Sequence, residues 1–111
     1  MNTRAFLLAA IVMAALFAGC AQPAQPAVQA AELERAKVLC IQECFSQQAG
    51  GLDLSRGPCL SEEITRGWVC DCAHSPRQPS DDDPANQCPA YGKTASHFVE
   101  VDAECGFLRA A

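Results

Sequence analysis

The sequence predicts a small disulfide-rich α+β domain, in which one N-terminal helix packs on a two- or three-stranded antiparallel sheet. Residues 30–49 carry apolar side chains and cysteines at spacings of three and four, which is the period of a helix. Residues 68–74 are strand-like, and residues 97–102 alternate between apolar and polar side chains, as strands with one buried face do. Eight cysteines in 111 residues indicate a domain that relies on disulfides because its large apolar side chains are few.

The helix is expected to begin near Ala30 and to end before Gly50 and Gly51. Glu32 and Glu34 lie in its first turn, where negative charge is favourable because the backbone amides there are unpaired. The two glycines favour termination of the helix. The side chains predicted to face the sheet are Leu33, Cys40, Ile41 and Cys44.

The two alternating stretches are predicted to be strands with two distinct faces. One face of the first strand carries Trp68, Cys70, Cys72 and His74, and the other carries Val69, Asp71 and Ala73. One face of the second strand carries His97, Val99 and Val101, and the other carries Phe98, Glu100 and Asp102. Residues 107–109 are expected to add a short third strand. Residues 52–67 are expected to form a loop, with a short helical turn capped by Ser61.

Residues 75–89 are predicted to form an exposed loop, because four prolines interrupt any helix or inner strand there. Cys88 anchors the loop near its end. The loop contains three consecutive aspartates but lacks the glycine and the distal glutamate of an EF-hand, so we expect a solvated acidic segment rather than a calcium site. Loops commonly carry recognition, and the candidate interaction residues are His74, Arg77, Asp81, Asp82 and Asp83.

The first twenty residues have the pattern of an export signal. Arg4 precedes an uncharged run over residues 5–18, which is shorter than a membrane span. The small residues Ala18 and Gly19 come directly before Cys20. The segment 16–20, Leu-Phe-Ala-Gly-Cys, resembles the lipobox of prokaryotic lipoprotein precursors.

This resemblance implies that a signal peptide, residues 1–19, is removed and that Cys20 is lipidated. The expected organisation is a lipid-anchored Pro/Ala/Gln tether over residues 20–31, followed by a cysteine-rich domain over residues 32–111. The expected location is extracytoplasmic, in the cell envelope, with the lipid anchor holding the protein to a membrane. An oxidising compartment of that kind favours disulfides over metal ligation.

The cysteine spacing predicts two side-by-side bridges between the helix and the sheet. Cys40 and Cys44 are one helical turn apart, about 6 Å. Cys70 and Cys72 lie on one face of a strand, about 6.6 Å apart. We expect Cys40 to pair with one of these two strand cysteines and Cys44 with the other. The arrangement resembles the cysteine-stabilised α/β motif of defensin-like and scorpion-toxin-like peptides.

Cys59, Cys88 and Cys105 then remain, and the seven cysteines that follow residue 20 leave one without a partner. The first expectation is a Cys88–Cys105 bridge with a free thiol at Cys59. An alternative pairs Cys59 with one of the two helix cysteines and leaves Cys72 unpaired. The leftover thiol is a candidate for joining two copies in a disulfide-linked dimer.

The composition and the motifs narrow the functional classes. Thirteen acidic residues against eight basic ones argue against nucleic acid as a partner. No Gly-x-Ser-x-Gly elbow occurs, and we expect neither enzymatic activity nor a cofactor. The main hypothesis is a lipid-anchored envelope protein whose small disulfide-bonded domain binds a protein partner. The alternative is an envelope protein that handles metals or thiols through an unpaired cysteine together with Cys70, Cys72 and His74.

Overall fold

The computed structural model describes residues 26–111, and the expected signal peptide and lipidation at Cys20 lie outside these residues. The helix α1 spans Pro26–Ala49. The strands are β1 (Cys59–Thr65), β2 (Trp68–Cys72), β3 (His97–Val101) and β4 (Phe107–Ala110). Two short 3₁₀ turns span Pro79–Asp82 and Pro84–Asn86. Within residues 26–111, no helix combines the length and the apolar character needed to cross a bilayer.

The helix α1 begins earlier than the sequence pattern predicted. It starts at Pro26 rather than near Ala30, so residues 26–31 of the expected tether are helical. Proline is favourable in the first turn because its fixed φ suits the helix and its missing N–H would be unpaired there anyway. The predicted buried stripe is confirmed: Cys40 and Cys44 are buried, with Leu33 and Ile41 packed against them at the edge of the core.

The sheet has four strands in the order β1-β2-β3-β4, and it is mixed. β1 pairs with β2 and β3 pairs with β4 in antiparallel fashion, whereas β2 and β3 are parallel. The prediction of one helix on a sheet is confirmed, but that of two or three antiparallel strands is only partly right, because the sheet has four strands and one of its three pairings is parallel. Residues 73–96 carry the chain back to the end of the sheet where β2 begins, and this long connection is what allows β3 to run parallel to β2.

The strand β1 lies where the sequence predicted a loop with a helical turn. Its segment Ser61-Glu62-Glu63 has the polar composition of a loop. These residues nevertheless belong to an edge strand, which has one neighbouring strand, β2. Glu62 and Glu63 are exposed, while Leu60 is buried in the core. Edge strands often carry charged side chains, because these protect the exposed edge of the sheet against aggregation. A charged edge strand of this kind is therefore hard to distinguish from a loop by its composition.

The sheet separates two packed layers. The main core lies between the sheet and α1, and it contains the buried side chains Ala36, Cys40, Cys44, Leu54, Leu60, Trp68, Cys70, Cys72, Val99, Val101 and Cys105. On the opposite face, residues of the 73–96 connection pack on Val69 and form a smaller cluster with it. The alternation predicted for β2 and β3 is confirmed at Cys70, Cys72, Val99 and Val101, which all contribute to the main core.

Three disulfides hold these layers together: Cys40–Cys70, Cys44–Cys105 and Cys59–Cys88. The first joins the helix to β2 as predicted. The other expected pairings, Cys44 with a β2 cysteine and Cys88 with Cys105, are wrong. Three intramolecular disulfides indicate an oxidising, extracytoplasmic environment.

The direction of α1 across the sheet explains the second bridge. The Sγ atom of Cys40 lies 3.8 Å from the carbonyl oxygen of Val99 in β3, and that of Cys44 lies 3.9 Å from the carbonyl oxygen of Asp102, just beyond β3. The helix therefore crosses toward the β3–β4 turn instead of following β2. The equal spacing of the cysteine pairs in the helix and in the strand produces side-by-side bridges only when the two axes run parallel.

Cys72 is the unpaired cysteine among residues 26–111, not Cys59. The alternative pattern had left Cys72 without a partner, but its pairing for Cys59 is wrong, because Cys59 is bonded to Cys88. The Cys72 side chain is 1 % exposed, and its Sγ atom lies 3.6 Å from the carbonyl oxygen of Leu54. Burial, together with the nearby Asp71, raises the pKa of this thiol to about 12. Cys72 is thus a protonated core residue with little nucleophilic character.

Candidate binding pocket

Charged side chains form a row across the face of the sheet that α1 does not cover. Asp71 of β2 lies beside Glu100 of β3 in the parallel register. Glu100 in turn lies opposite Arg109 of β4. Neighbours in register point to the same face of a sheet, so three charged residues from three strands stand side by side. Val69 and Phe98, which precede them by two residues on β2 and β3, share this face.

Glu100 is the centre of the row because two arginines bind it. Its Oε2 atom accepts a hydrogen bond of 2.8 Å from Nε of Arg109, and its Oε1 atom accepts one of 3.0 Å from Nη2. The Nη1 group of Arg77 donates a third bond to Oε1 at 3.3 Å. Glu100 is buried, and this bidentate pair with a second guanidinium compensates its desolvation.

Arg77 reaches Glu100 from the 73–96 connection, where other contacts fix its position. Its Nε group donates to Oδ1 of Asp82 at 2.9 Å, and its Nη2 group donates to the carbonyl oxygen of Asp81 at 3.2 Å. The hydrogen bond to Asp82 is the largest of the effects that raise the pKa of Arg77. The guanidinium is therefore held between the connection and the sheet.

Asp81 orders the connection from inside. It is buried, and its Oδ2 atom accepts hydrogen bonds from the backbone N–H groups of Gln78 at 2.8 Å and His74 at 3.1 Å. Its Oδ1 atom lies 2.8 Å from Nδ1 of the His74 ring. Burial opposes ionisation of Asp81, but the hydrogen bonds from Gln78 and His74 outweigh it and lower the pKa. Gly57, with φ +68°, approaches Asp81 so closely that an added Cβ atom would overlap its Oδ1 atom.

The acidic segment is only partly the solvated surface that the sequence predicted, because Asp82 and Asp83 are exposed whereas Asp81 is not. Asp81 is a buried hydrogen-bond acceptor, and Asp82 is paired with Arg77. Asp83 accepts a hydrogen bond from the backbone N–H of Ala85 at 3.0 Å and so caps the second 3₁₀ turn. Of the five predicted interaction residues, Arg77 is the one that the fold places at the charged row.

A cavity of about 240 Å³ opens over the charged row. The residues that matter for its chemistry are Asp71, Arg77, Tyr91, Phe98, Glu100 and Arg109. Two of them form an aromatic corner, in which the rings of Tyr91 and Phe98 meet edge to face with centroids 5.5 Å apart. The guanidinium carbon of Arg109 lies 5.4 Å from the centroid of the Phe98 ring. This is the size of a pocket for a single side chain or a small molecule rather than for a large ligand.

Asp71 differs from the other charged groups because one of its oxygens has no partner. Its Oδ1 atom is buried and accepts no hydrogen bond from any residue in the range 26–111. Burial raises the pKa of Asp71 from 3.8 to about 7, and the negative charge of Glu100 adds to the increase. At neutral pH this carboxyl group is consequently poised between its protonated and ionised forms.

The alternative set of Cys70, Cys72 and His74 is not brought together. Cys70 is bonded to Cys40, and His74 turns away from the helix side to meet Asp81. The residues that the structure describes contain no group of three or more His, Cys, Asp or Glu side chains arranged to hold a metal ion. The buried, protonated thiol of Cys72 does not favour a role in thiol exchange or in an intermolecular bridge.

Apart from Arg77, the residues that form the pocket were not predicted from the sequence. The alternation had already placed Asp71 on one face of its strand and Phe98 and Glu100 on one face of theirs. The alternation alone did not indicate that these two strand faces lie side by side, because the parallel pairing of the strands was not recognised. Arg109 was missed for the same reason: its contact with Glu100 depends on the register between β3 and β4.

No protein-family model, curated protein sequence or solved structure matches this chain.

Proposed function

We propose that the chain is a lipid-anchored cell-envelope protein whose disulfide-bonded domain binds a partner through the pocket over Asp71, Glu100 and Arg109. The observation that carries the proposal is a preformed pocket lined by Asp71, whose carboxyl group has one buried oxygen without a hydrogen-bond donor among residues 26–111. A buried acceptor without a donor costs free energy in the isolated protein, and a ligand that supplies the donor recovers it.

The position of the pocket supports a role in binding at an envelope surface. The helix α1 covers one face of the sheet, and the pocket lies on the other. A chain held to a membrane through Cys20, which lies N-terminal to α1, keeps the anchor and the pocket on different elements. Lipidation itself rests on the resemblance of residues 16–20 to a lipobox.

The chemistry of the lining residues favours binding over covalent catalysis. The pocket is lined by carboxylates, guanidiniums, an amide and aromatic rings, and its one cysteine, Cys88, is part of a disulfide. Among residues 26–111, the lining includes no serine, threonine, histidine or free thiol. Ionic groups of both signs beside aromatic rings are typical of recognition sites.

Intact mass of the protein extracted from its native membrane tests the anchoring. We expect loss of residues 1–19, addition of a diacylglyceryl group at Cys20, and one alkylatable thiol after unfolding without reductant. Two acyl chains supply firm attachment, whereas one chain holds only marginally. The control is Cys20→Ser, which should remain unprocessed. An uncleaved, unacylated chain in the membrane fraction of the native protein would contradict the anchoring proposal.

Photocrosslinking in the native cells tests the binding surface. A photoreactive residue is placed at Tyr91, which lines the pocket and is 49 % exposed, and in a matched control at Phe45 on α1, which is 53 % exposed. Since the two positions are equally accessible, we expect a specific crosslinked adduct from position 91 and none from position 45. No adduct at position 91, or equal adducts at both positions, would contradict the assignment of the pocket as the binding surface.

A further inference from the structure

Asp71 lines the cavity, and its carboxyl group has a definite chemical requirement. Its Oδ1 atom is buried and accepts no hydrogen bond from residues 26–111, although two guanidiniums line the same cavity. Both guanidiniums bind other acceptors: Arg109 binds Glu100, and Arg77 binds Glu100, Asp82 and the Asp81 carbonyl. A ligand in the cavity can therefore supply the Asp71 carboxylate with a donor.

The ion pairs of the pocket indicate the sign of the group that Asp71 lacks. Both guanidiniums of the lining are paired with Glu100, and Arg77 is also paired with Asp82 outside the lining. Ionised Asp71 is therefore the one carboxylate of the lining that forms no ion pair within residues 26–111. A ligand with one positive charge and at least one N–H group satisfies both the charge and the hydrogen bond.

The aromatic corner defines the rest of the ligand. Tyr91 and Phe98 form the apolar wall of the cavity, and their rings also attract cations through the negative charge on their faces. Arg109 already occupies a position above the Phe98 ring, which indicates that this wall accepts positive charge. A cavity of about 240 Å³ accommodates a short alkyl chain but not a large ring system.

We propose that this pocket binds a primary alkylammonium group, which donates an N–H hydrogen bond to the carboxylate of Asp71 while its alkyl chain packs against Tyr91 and Phe98. The group belongs either to a free amine or to a lysine side chain of a partner protein. This inference refines the binding surface proposed above and rests on it, but it does not depend on lipidation.

Protonation of Asp71 should compete with the ligand. The ionisable and charged groups around Asp71 are Glu100 on β3, Arg109 on β4, and Arg77, Asp81 and Tyr91 on the connection. Cys59, its neighbour on β1, is part of a disulfide and does not titrate. A carboxyl group that titrates near pH 7 loses about 30-fold of its ionised fraction between pH 8 and pH 5.5. The apparent affinity for an ammonium ligand should fall by a similar factor.

The test is an NMR titration of the isotope-labelled full chain in detergent with n-butylammonium chloride. We expect saturable shifts of the Asp71 and Tyr91 signals at pH 8 and about 30-fold weaker binding at pH 5.5. Asp71→Asn should weaken binding at least tenfold. The matched control Glu104→Gln removes an exposed carboxylate away from the pocket and should bind as the unaltered chain does. Binding that Asp71→Asn leaves unchanged, or no saturable binding at pH 8, would overturn the inference.

Two further probes separate the chemical requirements and the source of the ligand. Tetramethylammonium carries the charge without an N–H group, so equal binding of this ion would overturn the proposed hydrogen bond. Nα-acetyl-lysine N-methylamide represents a lysine side chain in a protein. Binding of this compound at least as tight as that of n-butylammonium supports a protein partner, and clearly weaker binding supports a free amine.

The outcomes distinguish this inference from the proposed function. A specific adduct at position 91 without amine binding retains the binding surface and overturns the ammonium ligand. Amine binding together with a failure of both crosslinking and acylation would overturn the proposed envelope function and retain the pocket. If Asp71→Asn does not fold, the pH series on the unaltered chain decides the question.

Discussion

On the face of the sheet that α1 covers, β2 and β3 contribute cysteines and valines, and two disulfides tie the layer to the helix and to the β3–β4 turn. On the other face, the same strands contribute Asp71 and Glu100 beside a cavity. The two faces alternate residue by residue, so their difference cannot arise from the backbone. The helix-covered face holds the larger buried core, whereas the other face carries a carboxyl group with a buried oxygen that has no donor among residues 26–111.

Removing a disulfide from the helix-covered face should have the largest effect. Cys44→Ala with Cys105→Ala opens a loop with a sequence separation of 61 residues. In the chain-entropy model this costs about 4 kcal/mol of unfolding free energy, a large share of the stability of a small domain. Chemical denaturation followed by circular dichroism measures the loss. A loss below about 1 kcal/mol would show that this face is not the main source of stability.

The corresponding change on the pocket face sharpens the comparison. Cys59→Ala with Cys88→Ala opens a shorter loop, with a separation of 29 residues, so we expect a somewhat smaller loss of about 3.6 kcal/mol. Cys88 also lines the pocket, so this variant should lose ligand binding as well. The double variant at Cys44 and Cys105 should retain binding at temperatures where it is folded.

Asp71→Asn should stabilise the protein at high pH, which is the opposite of what most buried substitutions do. Burial raises the pKa of Asp71 in the folded protein from 3.8 to about 7. Ionisation therefore costs stability that is fully retained below pH 3.8, is lost as the pH rises toward 7, and stays lost above it. The full shift corresponds to about 4 kcal/mol, which the partial exposure of Asp71 reduces to about 2 kcal/mol.

The measurement is the difference in unfolding free energy between Asp71→Asn and the unaltered chain at pH 8 and at pH 4. We expect a gain of about 2 kcal/mol at pH 8 and almost none at pH 4. Glu104→Gln, an exposed carboxylate, should show no gain at either pH. A loss of stability at pH 8 would mean that Asp71 has a favourable partner in the folded protein.

The sequence predicted the parts of this arrangement that depend on local patterns, and not those that depend on pairing between distant residues. The helix and the alternation along β2 and β3 were predictable because periodicity is local. The strand β1 was not, because Ser61, Glu62 and Glu63 have the composition of a loop and become a strand through one neighbour. The parallel pairing of β2 and β3 follows from the path of residues 73–96, for which no local pattern gives a direction.

The candidate site illustrates the same limit. The sequence placed Asp71 on the face opposite the cysteines, and this is where the structure has it. The residues that surround it come from β3, β4 and the connection, so the pocket could not be assembled without the register of the sheet. The burial of Asp81 was not predicted for a related reason. The residue stands in a run of aspartates that is typical of a solvated loop, but the backbone N–H groups of His74 and Gln78 fold back and donate hydrogen bonds to it.

Glu100→Gln should have a smaller effect on stability than the disulfide variants. The substitution removes the charge that holds Arg77 and Arg109, but both guanidiniums are partly exposed and can be hydrated. We therefore expect a loss of about 1–2 kcal/mol. The Glu100 charge also raises the pKa of Asp71, so the variant should lower that pKa. Asp82→Asn, which breaks a more exposed pair, should change stability by less than about 0.5 kcal/mol.

A small effect is also expected at Cys72, on the helix-covered face. Cys72→Ala removes one buried sulfur atom without breaking a disulfide, and should cost about 1 kcal/mol. The thiol should react with a soluble disulfide reagent only on unfolding, because it is buried and its pKa is raised to about 12. Rapid labelling of Cys72 in the folded protein would show that this core opens readily.

The contrast between the two faces is tested most directly by the ionisation of Asp71 itself. The side-chain carboxyl carbon of Asp71, followed by NMR across pH 3 to 9, reports its pKa with and without n-butylammonium. We predict a midpoint near 7 in the free protein and a lower midpoint when the ammonium ligand is bound. A midpoint near the ordinary value of 3.8, unchanged by the amine, would contradict both the unfavourable burial of Asp71 and the role of this face in binding.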